Sequence, residues 1–339
     1  MTLAVNIAQI GSNNTTFRNR IINGAMVIDQ RNAGASVTPA AGAYLTDRFQ
    51  YDGSQASKFT AQQNAGSVTP PAGFRNYLGF TVASAVSITS SDYFQFVQKV
   101  EGFNMADLAW GTASAAPVTL SFWIRSSLTG TFGGSLRNGD ADRSYPYTYT
   151  ISAANTWEQK TITIAGDTTG TWATTNGVGI IVAWGLGNGS NFTGTAGAWA
   201  AANYQNATGA TSVVGTSGAT FYITGVQLEA GTTASPFEYR SYGTEAILCY
   251  RYYWQWSNSG LGDNTYFKSP YVSSAPNSSA YSEMYFPVVM RAAPTLVGVI
   301  NSGSINRQTS TTNMGVWQIS SSSGATAYAI TSFTATAEL

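Results

Sequence analysis

Histidine is absent from this 339-residue chain, and cysteine occurs once, at Cys249. The first absence excludes Ser-His-Asp and Cys-His mechanisms, because both need an imidazole to carry the proton. The two together exclude a zinc site of the usual His and Cys ligands. A metal would have to be a hard ion held by oxygens, calcium above all. A lone cysteine cannot form an intrachain disulfide, which fits folding in a reducing cytoplasm. Charge is also scarce: Asp, Glu, Lys and Arg make up 9% of the residues, against about 25% in an ordinary domain. The 16 basic and 16 acidic residues cancel. There is no basic stripe, so nucleic acid is not an expected partner. Zero net charge removes the repulsion that keeps monomers apart and favours permanent assembly. No apolar run approaches the ~20 residues of a membrane-spanning helix, so no membrane insertion is expected. Residues 1–10 lack the basic start and apolar core of a secretory signal. A role outside the cell would then require release by lysis or on a particle.

What fills the chain instead is aromatic and uncharged polar. Aromatic residues reach 13%, interleaved with Ser, Thr, Asn, Gln and Gly. Such a mixture suits β-strands with uncharged outer faces, and surfaces that pack on other copies or on sugars. Alternation of period two dominates. Val118, Leu120, Phe122 and Ile124 form one such face, Val178, Ile180, Val182 and Trp184 a second, and Tyr222, Thr224, Val226 and Leu228 a third. Shorter strands are expected at Asp47–Tyr51, Tyr77–Val82, Tyr93–Val100, Tyr147–Ile151 and Thr161–Ile164. The pairs Thr129-Gly130, Asn138-Gly139, Thr169-Gly170 and Asn188-Gly189 supply turns between them. Helix is confined to Thr244–Tyr250 and a turn at Asn104–Ala109. The pattern predicts an all-β chain: a jelly-roll or β-sandwich domain followed by a smaller C-terminal β-domain. No regular repeat is present, which argues against a β-helix. Residues 1–16 are expected to be an attachment arm, 17–240 the jelly roll and 241–339 the C-terminal β-domain.

Several residues are candidates for function. Trp184, Trp199 and Tyr204 lie in or beside the loop-rich stretch 185–218, with Asn188, Asn191, Asn203 and Gln205 nearby. Flat rings stack on sugars and amides bond hydroxyls; the alternative is that these rings pack onto the sandwich or a neighbouring subunit. Uncharged chemistry of this kind would bind neutral sugars with little dependence on salt. Tyr250, Tyr252, Trp254 and Trp256 would share one face of a strand, with Arg251, Tyr253 and Gln255 on the other. Bulk on both faces points to a subunit interface or to core packing, with a glycan platform as a further reading. Asn138, Asp140 and Asp142 have the spacing of calcium ligands but lack the closing glutamate, and a hairpin turn is the simpler reading. Glu101 and Asp107 are a conceivable acid pair for glycan hydrolysis, without a supporting motif.

The stretch from Phe17 to Asn32, FRNRIINGAMVIDQRN, resembles the opening of a family of bacteriophage tail-fibre and virion proteins. Tyr44–Phe49, Leu120–Thr131, Ile223–Gly231 with Pro236-Phe237-Glu238, and Phe286–Thr295 fit the same family in the same order. The resemblance implies a jelly roll like that of carbohydrate-binding modules over about residues 17–240, then a smaller β-domain. It implies a structural role in the virion, commonly as a homotrimer, and no enzymatic activity. No cofactor is implied beyond a structural calcium that Asp29 and Glu229 could share. The expected function is a short tail fibre or receptor-binding protein, assembled in the bacterial cytoplasm and carried on the tail. Its partners would be other virion proteins through residues 1–16 and a host cell-surface polysaccharide. A capsid cement protein on the head and a glycan-cleaving tailspike are the alternatives.

Overall fold

A computed structural model describes residues 17–257, 267–268, 279–300, 304–320 and 329–339. The expected attachment arm, residues 1–16, lies outside them. The chain divides into two compact units between Arg240 and Ser241.

The first unit begins with β1 (Tyr44–Thr46), β2 (Phe49–Gly53), β3 (Phe59–Gln63), β4 (Leu78–Val82) and β5 (Tyr93–Glu101). It continues with β6 (Val118–Ser126), β7 (Gly130–Arg137), β8 (Ser144–Ile151) and β9 (Glu158–Ile164). It ends with β10 (Val178–Asn188), the short β11 (Thr193–Gly194) and β12 (Asn206–Ala207), and β13 (Thr220–Ala230). One sheet has six strands in the order β1-β2-β5-β10-β7-β8, the other five in the order β3-β4-β13-β6-β9. Every pairing within these two sheets is antiparallel. The chain passes repeatedly from one sheet to the other, which makes the unit a jelly-roll β-sandwich.

Alternation explains the core. Val118, Leu120, Phe122 and Ile124 of β6 are fully buried, while Trp123 and Arg125 between them are half-buried on the opposite face. Across the sandwich they meet an aromatic layer. Trp184 stacks on Phe96 with ring centres 5.1 Å apart and planes within 7°, and meets Phe122 edge-on at 5.9 Å.

Two expected faces change phase. In β13 the register slips between Thr224 and Gln227, around Gly225 at φ 62°. Ile223 stands opposite Ile124 and Leu228 opposite Leu120, so five steps along one strand span four along the other. This bulge moves Phe221, Ile223, Val226 and Leu228 into the core. Tyr222 joins an outer cluster with Tyr77 and Ala65 instead. In β10 a slip between Val178 and Ile180 likewise leaves Val178 outside while Ile180, Val182 and Trp184 enter the core.

The stretch from Phe17 to Asn32 contains no strand; it is a clasp. Asn19 Nδ2 donates to the Val226 carbonyl at 3.0 Å, and Asn19 Oδ1 accepts from the Ile21 and Leu228 amides. Gln98 pairs its amide with both backbone groups of Ile22 at 2.8 Å. Arg20 makes a two-pronged ion pair with Asp107 at 2.7 Å. The Arg18 and Asn19 amides donate to the Glu238 carboxylate, and Arg240 reaches back to the Ile21 and Asn19 carbonyls. The unit's first described residues are thus bonded to its last. Gly24 is required here, because a Cβ would lie 2.1 Å from the Val226 carbonyl oxygen.

The second unit opens with α1 (Tyr242–Tyr250), whose N-cap Ser241 accepts from the Thr244 amide. Its strands are β14 (Tyr253–Ser257), β15 (Phe267–Lys268), β16 (Ser279–Tyr285), β17 (Thr295–Ile300), β18 (Ser304–Ser310), β19 (Met314–Ser320) and β20 (Ala329–Thr336). Strand β20 pairs with β14, β15 and β17, and β19 lies between β16 and β18. Fully buried Trp317 and Phe333 centre the core. Here the expected single aromatic face is corrected. Tyr250 ends the helix, Tyr252 is buried in a turn, and the strand starts only at Tyr253. Trp254 and Trp256 do share a face, packed on Phe333 at 4.9 and 6.2 Å. Both rings remain half-buried. Among the described residues no helix is long and apolar enough to cross a membrane.

Candidate functional site

The outer face of the six-stranded sheet collects a cluster of polar groups. Asp52 of β2, Tyr93 and Gln95 of β5, and Ser135 and Arg137 of β7 alternate with the core residues Tyr51, Phe94, Phe96 and Leu136. Between β5 and β7 runs β10, which places Gly185, Ala183 and Ile181 opposite Gln95, Ser135 and Arg137. The first two are small, and Asn206 fills the space over Gly185.

Gln95 Nε2 donates to Asp52 Oδ2 at 2.7 Å, and Arg137 Nη1 donates to Asn203 Oδ1 at 2.7 Å. Gln95 and Ser135 are fully buried and Arg137 is 4% exposed. Even so, Gln95 Oε1, Ser135 Oγ and Arg137 Nε have no hydrogen-bond partner. No carboxylate among the described residues pairs with Arg137. Burial pushes its guanidinium down to about 10, against the opposing pull of Asp52 and Tyr93. The Tyr93 phenol is raised by burial and by Asp52, with Arg137 acting the other way. Asp52 and Tyr93 are half-exposed, so the face is open on their side.

Part of the face is roofed by the chain that follows β10. Ser144 and Ala200 exchange backbone hydrogen bonds, and Ser144 Oγ donates to the Ala202 carbonyl at 2.7 Å. Asn206 occupies the space above Gly133 and Gly185, where any Cβ would collide with it. Its Nδ2 donates to Asn188 Oδ1 at 3.1 Å, and Asn188 Nδ2 reaches Gln205 Oε1 at 3.5 Å. Phe192 meets Tyr93 edge-on at 5.0 Å.

The expected glycan residues scatter. Trp184 offers no face to a sugar, because its inward phase on β10 places it in the aromatic core with no exposed surface. Trp199 is half-buried; it packs edge-on against Trp110, Trp172 and Tyr145 at 5.3–5.4 Å. Its Nε1 donates to the Ala165 carbonyl at 2.7 Å. Tyr204 lies against Gly194. Asn188 belongs to the roof, and exposed Asn191 donates to Ser91 Oγ at 3.2 Å. Asn203 alone of this set touches the polar cluster. A separate cavity of about 210 Å³ lies between Tyr145, Tyr147, Thr148, Ile162, Ala196 and Gly197.

Asp29 and Glu229 do not fit a shared calcium. Asp29 accepts from the Asn32 and Gly34 amides; burial raises its carboxyl, opposed by those bonds. Glu229 accepts from Gln227 Nε2, the Ser235 amide and the Ser235 hydroxyl, and lies 3.5 Å from Arg18. A cation would face those N–H and O–H donors rather than free oxygens. Among the described residues, no three His, Cys, Asp or Glu converge on one point. Asn138, with Asp142 and Arg143, closes a hairpin: its Oδ1 accepts both following amides at 3.1 Å. Asp107 is lowered chiefly by its hydrogen bond from Arg20, and Glu101 is buried.

Sequence reasoning passed over Asp52, Tyr93, Gln95, Ser135 and Arg137. The available signal was Arg137 at the end of a Gly- and Ser-rich strand, and the alternation of Tyr93 and Gln95 with Phe94 and Phe96.

No family model matches the chain, and no curated protein matches it. Solved structures do. A tailspike protein 4 enzymatically active domain of bacteriophage CBA120 matches over 63% of this chain and 22% of that one, at 11% identity and a TM-score of 0.34. A CBM4 structure matches over 62% of this chain and 98% of its own, at 16% identity and a TM-score of 0.31. A family 11 carbohydrate-binding module from Clostridium thermocellum, in complex with a mixed-linked β-1,3-1,4 tetrasaccharide, matches over 59% of this chain and 98% of its own. Its identity is 10% and its TM-score 0.29.

Proposed function

We propose that the first unit binds a cell-surface glycan across the outer face of the six-stranded sheet, without cleaving it. The observation that carries this reading is the set of buried, unpartnered polar atoms on that face: Gln95 Oε1, Ser135 Oγ and Arg137 Nε. A buried polar atom left unpaired costs roughly 1–3 kcal/mol. Three of them on one sheet face are explained by a ligand rich in hydroxyls, which both donate and accept.

The chain as a whole acts, in this reading, as a virion attachment protein of the short tail-fibre type and works as a homotrimer. The ordered resemblance of five stretches to phage tail-fibre and virion proteins supports the first point. Apolar surface that an assembly would cover supports the second: Tyr285, Val297 and Val299 of the second unit are 71%, 59% and 55% exposed.

The test is a glycan array probed with the full chain and with Gln95→Ala. The wild type is expected to retain a defined subset of glycans that the variant loses. No retention by the wild type would overturn the binding reading. If the protein were then still incorporated into particles, the capsid-cement role would take its place.

A further inference from the structure

We infer that the glycan carries a carboxylate, a uronic or sialic acid, and that Arg137 is its counter-charge. This rests on the glycan-binding reading and names the class of ligand at the same face. It departs from the neutral sugar that the charge-poor sequence suggests.

Four other arginines of the unit lie near a carboxylate, whereas half-buried Arg125 bonds the Asn155 carbonyl and sits over the Tyr222 ring. Arg20 pairs with Asp107, Arg143 with Asp167 and Arg240 with Glu238. Arg18 lies 3.5 Å from Glu229. Arg137 is more deeply buried than Arg20, at 4% against 7% exposure, yet its hydrogen bond goes to the neutral amide of Asn203. A guanidinium taken out of water without an anion is costly, and its planar fork matches a carboxylate. Asp52 shares the face but does not contact Arg137, and one of its oxygens is already taken by Gln95.

The neighbours suit the rest of an acidic sugar. Ser135 Oγ lies one pair along the same strand and can donate to a ring hydroxyl or to the second carboxylate oxygen. Gln95 Oε1 can accept from a sugar hydroxyl. Half-exposed Tyr93, beside Phe192, offers a ring on the open side. The arrangement is one cation, two neutral hydrogen-bonding groups and an aromatic edge on β5 and β7, the two strands that flank β10. That is the donor set of a uronate-type site rather than of a neutral hexose, which would leave the cation unpaired.

The experiment uses a matched array. Each uronic- or sialic-acid glycan is presented as the free acid and as its methyl ester, beside neutral glycans, and probed with full-length wild type, Arg137→Gln and Arg137→Lys. Wild type is expected to bind free acids and to lose roughly tenfold to a hundredfold in affinity on esterification, the range of a lost charge-assisted hydrogen bond. Arg137→Gln should lose the acid preference, and Arg137→Lys should recover part of it. Binding to the acids should weaken with added salt. Melting curves of the three proteins keep unfolding separate from loss of binding. Equal binding of acid and ester, or retention of neutral glycans alone, overturns the acidic ligand and leaves glycan binding standing. Absence of any retained glycan overturns the glycan-binding reading and this inference with it. If Arg137→Gln does not fold, the wild-type comparison of acid with ester decides alone.

Discussion

Two of the polar networks buried in the first unit differ in how their cations are paired. In the clasp around Phe17–Asn32, the cations Arg18, Arg20 and Arg240 each lie near a carboxylate, although Arg18 Nε and Arg20 Nε make no hydrogen bond, and Asn19 bonds three backbone groups. On the outer face of the six-stranded sheet, Arg137 has no carboxylate partner and Gln95 and Ser135 each keep an idle oxygen. The clasp joins chain segments more than 200 positions apart, as in Asn19 to Leu228. The open face joins neighbouring strands that the sheet already holds. Paired networks of the first kind specify the fold; incomplete ones wait for something outside it.

If that division is right, variants in the clasp cost stability and leave affinity alone, while variants on the open face do the reverse. The largest effect is expected for Asn19→Ala, which strands the Val226 carbonyl and the Ile21 and Leu228 amides. Chemical denaturation should show a loss of about 3–5 kcal/mol, from several buried groups at about 1–3 kcal/mol each. Unchanged stability would show that the clasp does not close the fold. Gly24→Ala comes next, at about 3 kcal/mol, because the methyl meets a fixed carbonyl. Folded protein at low temperature should still bind glycans normally in both cases.

Acid titration tests the paired carboxylates. Burial alone would raise Asp167, but bonds from Arg143 and Thr169 outweigh it and hold the carboxyl below its ordinary 3.8. A depressed value means the unfolded chain takes up the proton first. The stability from Asp167 is therefore complete above about pH 4 and is lost as the pH falls below it. Asp92 shifts the same way, through bonds from Thr89, Gln55 and Ser54. Asp167→Asn should lower the denaturation midpoint at pH 7 and flatten its fall towards pH 3. An acid limb as steep as that of the wild type would remove Asp167 from the account.

Ser135→Ala sharpens the contrast from the other side. Deleting a buried hydroxyl with no partner should leave stability unchanged or raise it by up to about 1 kcal/mol, while glycan binding weakens. Destabilisation by more than that amount would mean the hydroxyl has a structural task. The smallest effect is expected for Asp52→Asn. Removing this nearby negative charge should tighten binding of acidic glycans by roughly two- to fivefold at low salt, with neutral glycans unaffected. Weaker binding of the acids would place Asp52 among the contacts instead.

Composition and alternation by themselves determined the class of this protein: an all-β chain, with strands where Val118–Ile124, Tyr93–Val100 and Thr161–Ile164 alternate, and helix limited to the stretch after Ser241 and a turn near Asn104–Ala109. Side-chain period is a local property, and a chain this poor in charge leaves few alternatives to half-buried strands. What depended on distant partners could not be read locally. The bulge at Gly225 is set by pairing with β6, and it reversed the face expected for Tyr222 and Thr224. Trp184 could be read as a sugar-stacking ring or as core, and Phe96 and Phe122 decide for the core. Tyr250–Trp256 read as one strand until helix α1 claimed its first residue. The open face has the same origin: Asp52, Gln95 and Arg137 are isolated polar letters in sequence. Only the order β2-β5-β10-β7 brings them onto one surface, and only burial turns an ordinary arginine into a cation in want of an anion.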